Sequence, residues 1–312
     1  MGATVVAGGR LRWREPRFVE RWSWVMGQTV HLQLFAQSED AGYAAAAAAL
    51  AELRRIEARL SLFDDASDLC ELNRRAGRGP MRVAPDLCRV LGAADRIRLD
   101  TSGAFDAAVE PLMRAWGFHR PRSVEPTGAE LQEAREAVAA ATLRVDGDRA
   151  SLSGTTAQLD LGGIGVGYGL DRAAEVLRRS GITRALIDVS GDLIALGSPP
   201  GTRGWRVGIA DPTGHRADIA EWWLRDAALA TSANTMSVVR YGRAVRGHVM
   251  DPATGYPARA LLQSTVVARS GIAADALSTA MLVSGRPSAG AVWSFASPTA
   301  HRAVGRPAGT GA

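Results

Sequence analysis

Residues 248–257 read His-Val-Met-Asp-Pro-Ala-Thr-Gly-Tyr-Pro, and a later segment reads Ala274-Asp275-Ala276-Leu277-Ser278-Thr279. The first gathers an imidazole (His248), a carboxylate (Asp251) and a hydroxyl (Thr254) in one short run, with Gly255 and two prolines to turn the chain. The second sets a carboxylate and a hydroxyl at positions i and i+4. A helix over 275–282 puts Asp275 and Thr279 on one face, where their oxygens can converge on one ion. Hard oxygen donors suit magnesium, which commonly works on phosphates. Magnesium-dependent phosphoryl chemistry is therefore the first expectation. Among the histidines, His248 stands out because Asp251 and Thr254 lie beside it. His31, His119, His215 and His301 have no partner motif and read as surface or strand residues.

Three further segments carry possible binding chemistry. From Leu159 to Asp171 the chain is rich in glycine, with Gly162, Gly163, Gly165, Gly167 and Gly169 around Val166 and Tyr168. A glycine turn between a strand and a helix lets backbone amides approach a pyrophosphate. The run fits GxGxxG in no register, since Tyr168 or Leu170 falls where the last glycine belongs, and this argues against a nicotinamide dehydrogenase. A tight strand-to-helix crossing without a ligand is the competing reading. Ala104-Phe105-Asp106 could line a cofactor slot, whereas Trp116 reads as core. Ser61-Leu62-Phe63, with Ser67 and Asn73, is a weaker signal in which Ser67 is an ordinary cap.

Composition narrows the chemistry. The chain has 312 residues and a net charge of +5, and its 37 cationic residues are all arginine. Without lysine there is no P-loop lysine, no Schiff base and no Ser-Lys dyad. The arginines are scattered rather than patched, which speaks against nucleic-acid binding. Cys70 and Cys88 have no zinc-like spacing and read as reduced thiols. No apolar run is long enough to span a bilayer, and no apolar leader is visible near the start. A cytoplasmic protein without a transmembrane segment is expected.

These residues need elements to hold them. Thr29–Phe35 alternates as a strand. Asp40 could cap a helix over 41–61 with Leu50, Leu53, Ile56 and Leu60 on one stripe. Asp86–Leu99 repeats that pattern, and Thr127 with Glu130 forms a capping box for a third helix. A hairpin is expected over 145–152 around Asp146-Gly147, and a helix over Tyr168–Arg179 stopped by Gly181. Strands follow at 185–189, 193–196, 205–209, 219–224, 227–231 and 264–268, spaced for antiparallel pairing. The domain reading is an extension over 1–20, one domain over 21–297 and a flexible tail over 298–312.

Taken in order, these segments resemble the ApbE family, the FAD:protein FMN transferases. The resemblance runs from Trp24 to Gly285 through Trp24–Thr29, Leu60–Phe63, Ser67, Asn73, Ser102–Asp106, Trp116-Gly117-Phe118, Asp160–Tyr168, Val189–Asp192, Ala230-Thr231-Ser232, His248–Pro257 and Ala274–Thr279. It implies an α+β, T-fold-like architecture of antiparallel sheets flanked by helices. By position it assigns FAD contacts to Met26, Phe63, Ala104, Phe105, Asp106, Asp160, Val166 and Met250. It assigns a magnesium ion to Asp275, Thr279 and Gly163, the last through its carbonyl. His248 and Asp275 become the candidate catalytic residues. The implied reaction moves FMN from FAD to a threonine hydroxyl of a target protein and releases AMP. An FAD pyrophosphatase and a non-catalytic flavin-binding protein are the alternatives. Ala107-Ala108, Val166, Ser190, Ala233-Asn234 and Ser278 depart from the family's common pattern.

Overall fold

In the computed structural model the described residues are 15–214, 217–287, 291–297 and 300–303. The chain opens on a hairpin of β1 (Arg17–Val25) and β2 (Gln28–Ala36). Met26 (φ 56°) and Gly27 (φ 67°) close it, since a two-residue turn matched to strand twist needs both residues left-handed. β1 begins inside the segment expected to be an extension. Its pattern is masked because Val19 and Val25 face the core while Phe18, Trp22 and Trp24 stay exposed on the other face. Helix α1 (Glu39–Leu60) is capped by Ser38, whose Oγ accepts from the Ala41 amide, and not by Asp40. Asp40 lies in the first turn with Glu39, where acidic groups favour the helix dipole.

The next elements form a lobe of their own. They are α2 (Asp68–Arg74), β3 (Met81–Arg82), α3 (Pro85–Asp100), α4 (Glu110–Ala115), α5 (Gly128–Ala140), β4 (Thr142–Asp146) and β5 (Arg149–Ser153). Ser67 caps α2, and the Thr127–Glu130 capping box opens α5 as the sequence predicts. The three short strands pair in the order β3-β5-β4. Trp116 is 1 % exposed in this lobe's core, and its indole N–H donates to the Gly255 carbonyl at 2.8 Å.

The remainder builds the main sheet. It comprises α6 (Gly165–Arg179), β6 (Ala185–Val189), β7 (Asp192–Leu196), β8 (Trp205–Ala210), β9 (Asp218–Leu224), β10 (Ala227–Ala233), β11 (Val238–Tyr241), β12 (Ala244–Gly247), β13 (Gln263–Ala268), α7 (Gly271–Ser284), β14 (Ala291–Ser297) and β15 (Ala300–Ala303). Eight strands pair antiparallel in the order β1-β2-β6-β7-β10-β13-β14-β15. The tail expected over 298–312 contains β15, and residues 298–299 and 304–312 lie outside the described residues. His215 also lies outside them. The β8–β9 hairpin covers one face of the sheet through Trp205, Val207 and Leu224. Helices α1, α6 and α7 form a wall between two apolar cores. Leu50, Leu53, Val166, Leu170 and Ala274 face the sheet side, while Ile56, Leu60, Ile164, Tyr168, Ala276 and Ala280 face the lobe. No helix of the described residues is long and apolar enough to cross a membrane.

Candidate active site

The site begins where α6 and α7 cross backbone to backbone. A Cβ on Gly167 would lie 2.2 Å from the Gly271 carbonyl oxygen, and one on Gly271 would lie 2.3 Å from that of Gly167. Only hydrogen fits at either position. The two helices then satisfy each other's amides. The Gly167 N–H donates to Asp275 Oδ2 at 2.9 Å, and the Gly271 and Ile272 amides donate to Asp171 at 2.6 and 3.0 Å. The glycines of 162–169 are therefore packing residues as much as binding ones. Gly169 makes room for Met26 and Leu53. The segment before α6 is loop rather than the strand expected from sequence.

This crossing puts Asp275, Thr279 and Gly163 together. A Cβ on Gly163 would lie 3.0 Å from Thr279 Oγ1. Ser232 Oγ approaches Thr279 Oγ1 at 3.2 Å and Ser278 Oγ at 2.7 Å. Asp275 is buried, and burial pushes its carboxyl well above the usual range, with the charge of Asp192 adding to the effect. No ion pair among the described residues includes Asp275. A buried carboxylate without an ion-pair partner and a hydroxyl, both beside the Gly163 backbone, offer hard-oxygen donors, so a divalent cation fits them.

A cleft of about 1170 Å³ opens above these residues. Phe63, Ala104, Phe105, Asp106, Asp160, Gly163, Val166, His248, Met250, Asp275 and Thr279 all line it. Met26 is not among the lining residues. It packs in the wall, touching both cores. Phe105 is buried against Gly163, whereas Phe63 is 81 % exposed. Asp106 caps the turn at Ala107–Val109 through the Ala108 amide, and burial raises its carboxyl. Asn73, a weak signal in the sequence, is a two-point clamp. Its amide donates to the Leu159 carbonyl at 2.9 Å and accepts from the Leu159 N–H at 2.8 Å, fixing the backbone next to Asp160.

His248 sits in the cleft, but its sequence neighbours do not serve it. Asp251 instead closes a turn, accepting from the Ala253 amide and the Thr254 hydroxyl at 2.9 Å each. Burial lowers the His248 pKa, against the Ser237 backbone and the charge of Asp160, and this favours the neutral imidazole. Its Nδ1 is buried without a hydrogen-bond partner. His119, read as a surface or strand residue, also lines the cleft. Its partner Asp160 lies far along the chain, so no local motif announces it. His31 stacks on Trp22 in the β1–β2 hairpin, and His301 lies in β15.

The ApbE family profile matches residues 26–300, most of the chain. The chain belongs to the ApbE family. It is 31 % identical over 248 residues to the FAD:protein FMN transferase of Haemophilus influenzae, a match covering 76 % of this chain and 71 % of that protein. Among solved structures it resembles the ApbE protein of Thermotoga maritima (28 % identity, TM-score 0.78, 86 % of this chain and 87 % of that one). It also resembles the flavin transferase ApbE of Vibrio cholerae (26 % identity, TM-score 0.76, with the same coverage). The α+β reading with antiparallel sheets holds.

The departures from the ApbE pattern find physical settings. Val166 lies in the first turn of α6, buried on the sheet side at the cleft wall. Ser190 takes the left-handed position (φ 50°) of the β6–β7 turn. Asn234 ties β10 to the His248 segment, accepting from the Val249 N–H at 3.0 Å and donating to the Ala258 carbonyl at 2.8 Å. Ser278 is occupied with Ser232 and the Asp275 carbonyl.

Proposed function

We propose that this chain is an FAD:protein FMN transferase that uses magnesium and an acceptor threonine. The observation that carries the reading is the convergence of Asp275, Thr279 and Gly163 at the α6–α7 crossing, at one side of a cleft lined by Phe63, Phe105 and Met250. The cleft is rich in carboxylates (Asp106, Asp160, Asp188, Asp192, Asp211 and Asp275), and the arginine that lines it, Arg206, is paired with Glu221. An anionic pyrophosphate enters such a place only with positive charge beside it. Asp275, Thr279 and the Gly163 carbonyl would hold magnesium, which supplies that charge when bound.

In the reaction, the threonine oxygen of the target protein forms a bond to the FMN phosphorus. The bond from that phosphorus to the bridging oxygen breaks, and AMP leaves with the electron pair. The threonine proton passes to a base, and the neutral His248 imidazole is suited to accept it. Phe63, Phe105, Ala104 and Met250 offer apolar surface to the flavin. Asp106 and Asp160 offer acceptors to its polar groups, and Val166 contributes methyl groups and backbone. Met26 supports this wall from behind. The compartment that suits the free thiols Cys70 and Cys88 is the cytoplasm.

The test is mass spectrometry of a threonine-bearing acceptor domain incubated with this protein, FAD and magnesium. An adduct of one FMN per acceptor, with AMP in equal amount, is expected. AMP and free FMN without an adduct would make the protein a pyrophosphatase. Bound FAD that stays intact would make it a flavin-binding protein.

A further inference from the structure

The reaction just described leaves one cleft imidazole unused. His119 follows Trp116-Gly117-Phe118, and its side chain is 14 % exposed. Its Nε2 lies 3.5 Å from Asp160 Oδ2, and its Nδ1 lies 3.8 Å from Glu110 Oε1. Glu110 is itself buried and held by Arg114 at 2.8 Å. The ring of His119 meets the ring of Phe63 edge to face, with centroids 5.4 Å apart and planes at 88°. On its other side Asp160 accepts from the Gly162 N–H at 2.7 Å, and its own N–H donates to the Ala107 carbonyl at 2.7 Å. His119 is thus wedged between a buried carboxylate and two residues that line the cleft.

We infer that His119 is a positioning residue for FAD, holding the Asp160 carboxylate and the Phe63 ring where the flavin nucleotide docks. The inference rests on the FAD reading above. The physical argument concerns side-chain freedom. Phe63 is 81 % exposed and has little else to fix its ring. The Asp160 carboxylate sits on a loop and is reached by one amide on the side away from His119. Each side chain left free must be ordered when the ligand binds, which weakens affinity by roughly two- to tenfold. His119 orders both in advance. It touches Asp160 and Phe63 and not the reacting phosphate, so its effect belongs in binding rather than in the chemical step.

The test compares His119→Ala, His119→Gln and His119→Asn in the full chain with magnesium present. FAD affinity is read by fluorescence quenching, KM and kcat by AMP release, and folding by melting temperature. His119→Ala should raise Kd and KM for FAD by about tenfold, with kcat within about twofold of the parent protein. The glutamine amide nitrogen reaches close to the Nε2 position, so His119→Gln should recover most of the affinity. The asparagine amide falls short of it, so His119→Asn should behave like alanine. Unchanged FAD affinity in His119→Ala overturns the inference, as does a fall in kcat with KM unchanged. Equal loss in all three variants with a lowered melting temperature reduces His119 to a structural role and also overturns it. Failure of the parent protein to bind FAD would instead remove the function on which the inference rests.

Discussion

Asp275 joins the α6–α7 crossing and the cleft wall in one side chain. It accepts the Gly167 N–H and faces Asp192 with no cationic ion-pair partner, and burial with the charge of Asp192 raises its carboxyl, so a cation there would favour the charged form. Asp275→Asn keeps the shape and an acceptor oxygen but loses the charge that a metal needs. AMP release should fall by on the order of a hundredfold or more while the circular dichroism spectrum is preserved. Turnover within a few-fold of the parent would take Asp275 out of the metal site. Ser190 gives a second residue-scale expectation. It holds a left-handed backbone beside Gly191 in a two-residue turn. Ser190→Gly should raise unfolding free energy by about 0.5–1 kcal/mol, read by urea denaturation. A loss instead would mean that the Ser190 contacts with the Thr29 carbonyl outweigh the strain. Asp275 and Thr279 were legible as a pair because one helix carries both. His119 was not, because its partner Asp160 is brought to it by tertiary folding alone. Asp251 is the converse case, since its closeness in sequence to His248 puts its carboxylate into a turn and not against the imidazole.

At the scale of elements, the α6–α7 crossing should be intolerant of a single methyl group. Gly167→Ala would drive Cβ into the Gly271 carbonyl, push α7 outward and carry Asp275 and Thr279 away from Gly163. We expect a loss of about 1–3 kcal/mol in stability together with loss of transfer activity. Gly165→Ala is the control, because its Cβ would meet Leu161 at an ordinary 3.9 Å. Equal effects in the two variants would show that helix propensity, not the crossing, matters. A second set of contacts joins α1, α3 and α6. Asp86 accepts from Arg55 at 2.7 Å and from Tyr168 at 2.6 Å. Burial raises its carboxyl, but these bonds outweigh burial and leave it below the usual range. The Arg55 hydrogen bond likewise holds Glu52 down. Such groups bind fewer protons folded than unfolded. Their stabilisation is complete above the ordinary carboxylate range and is lost as pH falls through the depressed values. The cost of Asp86→Asn in melting temperature should therefore be largest near neutral pH and shrink as pH falls from about 5 towards 2, while the buried carboxyls held above their usual range (Asp106, Asp171, Asp188, Asp192 and Asp275) act in the opposite sense in both proteins. Identical slopes by calorimetry would discount the network. Most helices were legible from caps and apolar stripes. β1 was not, because its exposed aromatics, Phe18, Trp22 and Trp24, fill the face where polar residues would reveal the alternation.

For the whole molecule, the two apolar cores on either side of the helical wall are the organising fact. The cleft draws Phe63 and Phe105 from the lobe side and Asp188 and Leu229 from the main sheet. A ligand filling it would tie the two halves together, adding about 2.7 kcal/mol at a hundredfold excess over Kd. Calorimetry should show a broad or split transition without ligand and a single sharper one with FAD and magnesium. A single sharp transition in both conditions would mean that the wall already couples the cores. The lack of linkers in the sequence suggests one domain over 21–297. The two cores are not legible there, because the stripes on α1, α6 and α7 serve both sides and no break in composition marks the division. The crossing of α6 and α7 also has a temporal consequence. Domains tend to gain structure from the N-terminus onward as the ribosome releases them. The cleft-lining segments around Phe63, Phe105 and Asp160 are made before Gly271–Ser284. A nascent chain halted before that helix would have the other walls of the cleft and an open glycine notch but neither Asp275 nor Thr279. Docking of α7 into the Gly167 notch is thus the step that completes the cleft, and under the proposed function an unfinished chain would leave FAD intact.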